Sequence, residues 1–123
     1  MTSKIVSADY DLPFKDAVTI MAKSTIGNLV IKNGGGNVVV GLLTEREILA
    51  HLYRYKKIPD LQCRAIKLTG FTKISPETTI EEAARRMILS KHRLLVYDNL
   101  DQKDERVAGI ITASDLVRAF FTA

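Results

Sequence analysis

Cysteine is nearly absent from this chain of 123 residues: Cys63 stands alone, so no internal disulfide and no cysteine-based zinc site is available. Cys63 itself reads as a buried or idle thiol. No apolar run approaches the roughly 20 residues that span a bilayer. The opening MTSKIVSADYD lacks the charged-then-apolar pattern of a secretory signal. These absences give the expectation of a soluble, cytoplasmic protein. No charge of one sign dominates either, since 18 basic and 14 acidic residues leave a formal net charge of +4. The basic clusters RYKK (54–57) and KHR (91–93) are short. Nucleic-acid binding asks for a denser stripe with exposed aromatics, so nucleic acid is not an expected partner. RYKK reads as a solvated helix end, where the dipole favours cations.

The usual catalytic signatures are missing too. GxGxxG is absent, and NGGGN (33–37) lacks the Lys-Ser/Thr that would make it a phosphate cradle. It reads as a flexible hairpin turn. His51 and His92 are the only histidines, and neither lies in a nucleophile motif. His51 reads as a packing or helix-surface residue. No clustered carboxylates suggest a metal or a glycosidase pair. The expectation is a protein that is not an enzyme, with no metal and no catalytic cofactor.

What the sequence does contain is a repetition. GLLTERE (41–47) returns as GIITASD (109–115), a shift of 68 residues. Upstream, Phe14, Ala17, Val18, Met21 and Ala22 are matched by Ile80, Ala83, Ala84, Met87 and Ile88 at a shift of 66. Downstream, Ile48, Leu49, Leu52 and Tyr53 are matched by Leu116, Val117, Phe120 and Phe121 at a shift of 68. Each half alone, at about 60 residues, buries too little surface for comfortable stability, so the halves are expected to share one module.

Each half reads strand, helix, strand, strand, helix. Ile5 and Val6 begin a short strand, and Pro13 suits the first turn of the helix in DLPFKDAVTIMAKS. IGNLVI (26–31) and VVVGLL (38–43) are short branched apolar runs, the mark of covered strands. A helix from about Glu45 to Lys56 follows, and Pro59 breaks it. In the second half Thr72 to Ile74 form a strand, SPETT caps a helix to about Ser90, with Thr78…Glu81 as the cap, and RLLVY and VAGII are strands. Ser114 to Phe121 form the last helix. The domain reading is 1–58 for the first repeat, 59–71 for a connector and 72–123 for the second.

Two constellations carry chemistry. Thr112 and Asp115 lie where a strand ends and a helix begins, and helix N-termini attract anions. A hydroxyl and a carboxylate on that turn can hydrogen-bond a diol, as a ribose requires. The same Thr-x-x-acid spacing is also a capping box, which Thr44…Glu47 fits fully and Thr112…Asp115 loosely. In KHR, Arg93 can bind phosphate bidentately and His92 can donate to it. On a regular strand the two would point to opposite faces, so both reach one ligand only across an irregular junction. A solvated helix C-terminus is the plainer reading of the same cluster.

Two βαββα units, each ending Gly-apolar-apolar-Thr-x-x-Asp/Glu, resemble a tandem pair of cystathionine-β-synthase (CBS) domains, a Bateman module. The likeness runs from about Lys4 to Ala119. The HRLLV strand ahead of the Thr-x-x-Asp turn makes the second repeat similar to the last repeat of the nucleotide-sensing subunit of AMP-activated protein kinase. The resemblance implies an α+β fold of two βαββα repeats packed through their sheets with pseudo-twofold symmetry, a disc-like homodimer, and a non-catalytic regulatory role. It implies AMP, ADP, ATP or S-adenosylmethionine as regulatory ligand. Thr112 and Asp115 would hold the ribose hydroxyls, and His92 and Arg93 the phosphates. Backbone at Thr72, Lys73 and Ile74 would pair with the adenine edge, while Ala113 and Ser114 would offer main-chain N–H groups. In the first repeat Thr44 and Glu47 form a weaker site, with Ile26-Gly27 in place of His92-Arg93 and Lys23 and Arg46 nearby in sequence. With no effector domain among these residues, the signal is expected to pass to a separate partner protein. The alternative is a ligand-free dimerisation or interaction scaffold.

Overall fold

Pro13 sets the entry of the first helix, and the recurrence sets everything after it. The computed structural model describes residues 5–122. The chain runs β1 (Ser7–Asp9), α1 (Phe14–Ser24), β2 (Asn28–Lys32), β3 (Val39–Thr44) and α2 (Glu45–Tyr55). It then repeats the order as β4 (Phe71–Ile74), α3 (Ile80–Ser90), β5 (Arg93–Asp98), β6 (Arg106–Ile111) and α4 (Ala113–Thr122). The α+β class and the two βαββα units of the sequence reading are both present. Lys4, where the family likeness begins, lies outside the described residues.

The strands form two three-stranded sheets, ordered β1-β2-β3 and β4-β5-β6. In each, the first pair is parallel and the second antiparallel. The chain divides into two compact units, one of Val6–Thr69 and one of Gly70–Ala123 together with Ile5 of the N-terminal segment. In the first, the helical spacing of Phe14, Ala17 and Met21 turns one face of α1 onto Leu29, Ile31 and Leu43 of the sheet. Cys63 and Ile66 of the connector close that core, and Cys63 is fully buried. In the second, Ala83 of α3 and Leu116 of α4 meet Ile74, Leu94 and Val96. Each buried Val, Leu, Ile, Phe or Met side chain contributes about 1.5–3 kcal/mol, so the two units hold their sites on packed cores.

Several boundaries differ from the sequence reading. Regular pairing of the first strand begins at Ser7, and Val6 supplies only its carbonyl, to the N–H of Val30 at 3.0 Å. Pro13 is the N-cap of α1, extended at ψ 136°, rather than part of its first turn. The cap of α3 sits one residue later than expected. Thr79 Oγ1 accepts from the N–H of Glu82 at 3.1 Å, while the Thr78 hydroxyl accepts from the N–H of Ser75 at 3.2 Å in the preceding turn. NGGGN is a turn as expected, with Gly35 at φ 74° and the Gly36 N–H donating to the Asn33 carbonyl at 2.9 Å. The connector is pinned to the first unit. Phe14 N–H donates to the Leu61 carbonyl at 2.7 Å, and Thr69 and Leu42 exchange two bonds of 2.9 Å. No helix among the described residues is long and apolar enough to cross a membrane.

Candidate functional site

The junction between α3 and β5 is irregular, which resolves the geometry of the KHR cluster. Lys91 adopts a left-handed conformation (φ 61°) and caps α3, its N–H donating to the Met87 carbonyl at 2.8 Å. The chain turns sharply there, and the His92 N–H donates to Ser90 Oγ at 3.2 Å. Strand pairing starts only at Arg93. His92 and Arg93 therefore share one pocket of about 370 Å³ with Lys91, Thr112, Ala113 and Ser114. The Arg93 Nε is buried and has no hydrogen-bond partner among the described residues, a costly state for a donor.

Thr112 and Asp115 form the reciprocal cap that the shorter acid fitted only loosely in the sequence. Asp115 Oδ2 accepts from the Thr112 N–H at 2.9 Å and from its hydroxyl at 3.2 Å. The Asp115 N–H donates back to Thr112 Oγ1 at 3.4 Å. The other oxygen, Oδ1, accepts from Arg118 at 3.0 Å, and that arginine side chain is 73% exposed. Burial pushes the Asp115 carboxyl up, but the Thr112 N–H, the Arg118 guanidinium and the Thr112 hydroxyl outweigh it and hold it below the usual aspartate value. Asp115 also forms part of the wall of an apolar cavity of about 250 Å³, with Ile74, Pro76, Val96, Ile111 and Leu116. The Thr112–Asp115 turn thus stands between an apolar cavity and a cationic pocket.

Of the three β4 residues, Ile74 is a buried wall of the apolar cavity. Thr72 and Lys73 belong to neither lining. The Lys73 ammonium pairs with Glu105 at 2.5 Å and lies 4.8 Å from the Tyr97 ring centre, while the Lys73 carbonyl accepts from Arg86 at 3.3 Å. Four contributors were not assigned to the site from the sequence: Ser75 and Thr78 on the apolar cavity, Lys91 on the cationic pocket, and Arg118 on Asp115. Lys91 left a signal inside KHR, and Arg118 left one three residues after Asp115, one helical turn away; Thr78 was legible only as a cap.

The first repeat places the corresponding groups differently. Glu47 Oε1 accepts from the Thr44 N–H at 2.7 Å, and Oε2 accepts from the hydroxyls of Thr44 at 2.9 Å and Thr69 at 2.8 Å. Both carboxylate oxygens are engaged within the unit. Among the described residues no Lys, Arg or His lines the pocket at the junction Ile26-Gly27. A Cβ built on Gly27 would lie 3.3 Å from Glu45 Oε1, and among the described residues Glu45 is the one charged group lining the adjacent pocket of about 240 Å³ among Val18, Met21, Ile26 and Ile48. Lys23 and Arg46 do not line it. Among the described residues no three His, Cys, Asp or Glu side chains are grouped to hold a metal.

Paired βαββα repeats, each with a capped Thr-x-x-acid turn at the head of its closing helix, define a tandem-repeat module. The CBS domain family model matches residues 1–54 and 64–122, and the chain belongs to the CBS domain family. Among solved structures, a putative signal-transduction protein with CBS domains from Burkholderia ambifaria MC40-6 is 20% identical with a TM-score of 0.76, covering 98% of this chain and 85% of its own. A conserved CBS domain protein of unknown function from Thermoplasma acidophilum is 29% identical with a TM-score of 0.75, covering 96% of this chain and 65% of its own. CBSX2, solved in complex with AMP, is 21% identical with a TM-score of 0.73, covering 99% of this chain and 92% of its own. No curated protein sequence matches the chain significantly.

Proposed function

We propose that the chain is a non-catalytic regulatory module whose second repeat binds an adenine nucleotide, AMP, ADP or ATP, at the head of α4. The observation that carries this reading is the Thr112–Asp115 turn, with an apolar cavity on one side and a cationic pocket on the other. An adenine nucleotide has the same order of chemistry: a flat apolar base, a sugar diol and anionic phosphates. The base fits the cavity beside Ile74, where β4 is the outer strand of its sheet and offers main-chain groups between Thr72 and Ile74. Asp115 Oδ2 keeps its cap, while Oδ1 exchanges the exposed Arg118 for a ribose hydroxyl, since an exposed ion pair contributes little. The phosphates meet His92, Arg93 and the N–H groups of Ala113 and Ser114 at the helix start. The AMP complex of CBSX2 supports an adenosine ligand at the level of the fold. In the first repeat, Glu47 is already engaged and Glu45 repels phosphate, so Thr44 and Glu47 are read as structural.

Regulation follows from differential affinity: the nucleotide shifts the module towards whichever state binds it better, and a separate effector protein reads that state. A second reading is a ligand-free scaffold that pairs with another copy of the chain. It is favoured by the apolar residues that α3 and α4 leave outside, with Phe121 88%, Ile88 74% and Leu89 69% exposed. A thermal-shift titration separates the two. At a hundred times its dissociation constant, an adenine nucleotide is expected to stabilise the fold by roughly 2.7 kcal/mol. No shift with AMP, ADP, ATP or S-adenosylmethionine would leave the scaffold as the function.

A further inference from the structure

We propose that Gly70 is a positioning residue: its missing side chain is the seat on which the His92 imidazole rests, and that seat holds the ring on the wall of the cationic pocket. β4 and β5 pair in parallel with Phe71 beside Arg93, which puts Gly70 beside His92. A Cβ built on Gly70 would lie 2.8 Å from both Cε1 and Nε2 of His92 and 3.3 Å from Nδ1, so the three nearest atoms all belong to that ring. No carbon tolerates such an approach. Gly70 has no positive φ, so its backbone conformation does not itself demand glycine, and the ring is what an added side chain meets first.

The next residue, Phe71, is already in the β4–β5 ladder, which holds the backbone at Gly70 within its own sheet. The imidazole is the far end of a rotatable side chain, so it is what moves. A methyl at position 70 would swing it away from its place beside Arg93 while leaving the fold standing.

The inference rests on the nucleotide reading of the second repeat, and the test separates the two. Gly70→Ala, His92→Ala and the double variant are compared with the natural chain by thermal unfolding, by NMR of the imidazole protons, and by calorimetric titration with AMP, ADP and ATP. The His92 signal is assigned by its loss in His92→Ala, with His51 as the only other histidine. In ligand-free Gly70→Ala the His92 resonances are expected to move while those of His51 stay. Affinity for the nucleotide is expected to fall about tenfold or more, the loss of one hydrogen bond to a charged group. The double variant is expected to bind no more weakly than His92→Ala, because the seat acts only through the ring. Unmoved His92 resonances, or losses that multiply in the double variant, would overturn the proposal. Should Gly70→Ala unfold, Gly70→Ala/His92→Ala must fold, since the obstructing ring is gone; failure of both would also overturn it. A natural chain that binds no adenine nucleotide sinks the nucleotide reading and the role of the seat with it, whereas moved resonances would still establish the contact.

Discussion

Glu47 and Asp115 occupy equivalent places in the two repeats, and their removal should cost unequal amounts of stability. In Glu47→Ala the Thr44 N–H and two hydroxyls lose their acceptor, and Thr44 is 2% exposed. An unsatisfied buried donor costs about 1–3 kcal/mol and a lost helix cap about 0.5–2 kcal/mol. These overlap, because the cap is one of the lost bonds, so the total is about 1–4 kcal/mol. For a chain of this size each kcal/mol moves the melting temperature by roughly 4 °C, which gives a fall of about 4–16 °C. Asp115→Ala loses a cap and an exposed pair with Arg118, about 1 kcal/mol or roughly 4 °C. Differential scanning calorimetry of the ligand-free variants measures both. Thr69→Val should reproduce part of the Glu47 loss, and the Glu47/Thr69 double variant should fall short of additivity because the two share a bond. A Glu47→Ala variant no less stable than Asp115→Ala would refute the assignment of Glu47 as a structural latch.

Two further outcomes follow from buried titratable groups. Burial pushes the Cys63 thiol up from its ordinary value, and the residue is fully enclosed, so an aromatic disulfide reagent should label the folded chain only at the rate of unfolding. Labelling at the rate of a free thiol would contradict its place in the core. Tyr97 is pushed up to about 12 by burial and by the Glu105 charge. The fold holds the neutral phenol, so this stability is present below the ordinary tyrosine value of about 10 and is lost as pH rises through about 12. Melting temperature against pH, with phenolate absorbance, should show that loss, and Tyr97→Phe should flatten it; an equal decline in both would contradict it.

The recurrence made the fold legible because each repeat carries the same apolar spacing on its helices, and the same Gly-apolar-apolar-Thr turn. Boundaries slipped where local chemistry decides by one residue. Thr78 and Thr79 both fit a cap, and only the turn that engages Thr78 with Ser75 leaves Thr79 for α3. The cationic pocket was half legible. KHR named its residues, but the left-handed Lys91 that lets His92 and Arg93 share a pocket has no sequence signature. Thr69 was illegible as a partner of Glu47, since 22 residues separate them and only the return of the connector along β3 brings them together. Gly70 was equally silent, because a glycine that makes room for a ring looks like any glycine in a linker.

The claim that one repeat binds and the other latches is tested most directly by calorimetric stoichiometry. The natural chain, Asp115→Ala and Glu47→Ala are titrated with the adenine nucleotide that binds best, at a temperature well below the melting of the weakest variant. The expected result is one nucleotide per chain for the natural protein and for Glu47→Ala, and none for Asp115→Ala. Two nucleotides per chain, or unchanged affinity in Asp115→Ala, would contradict it.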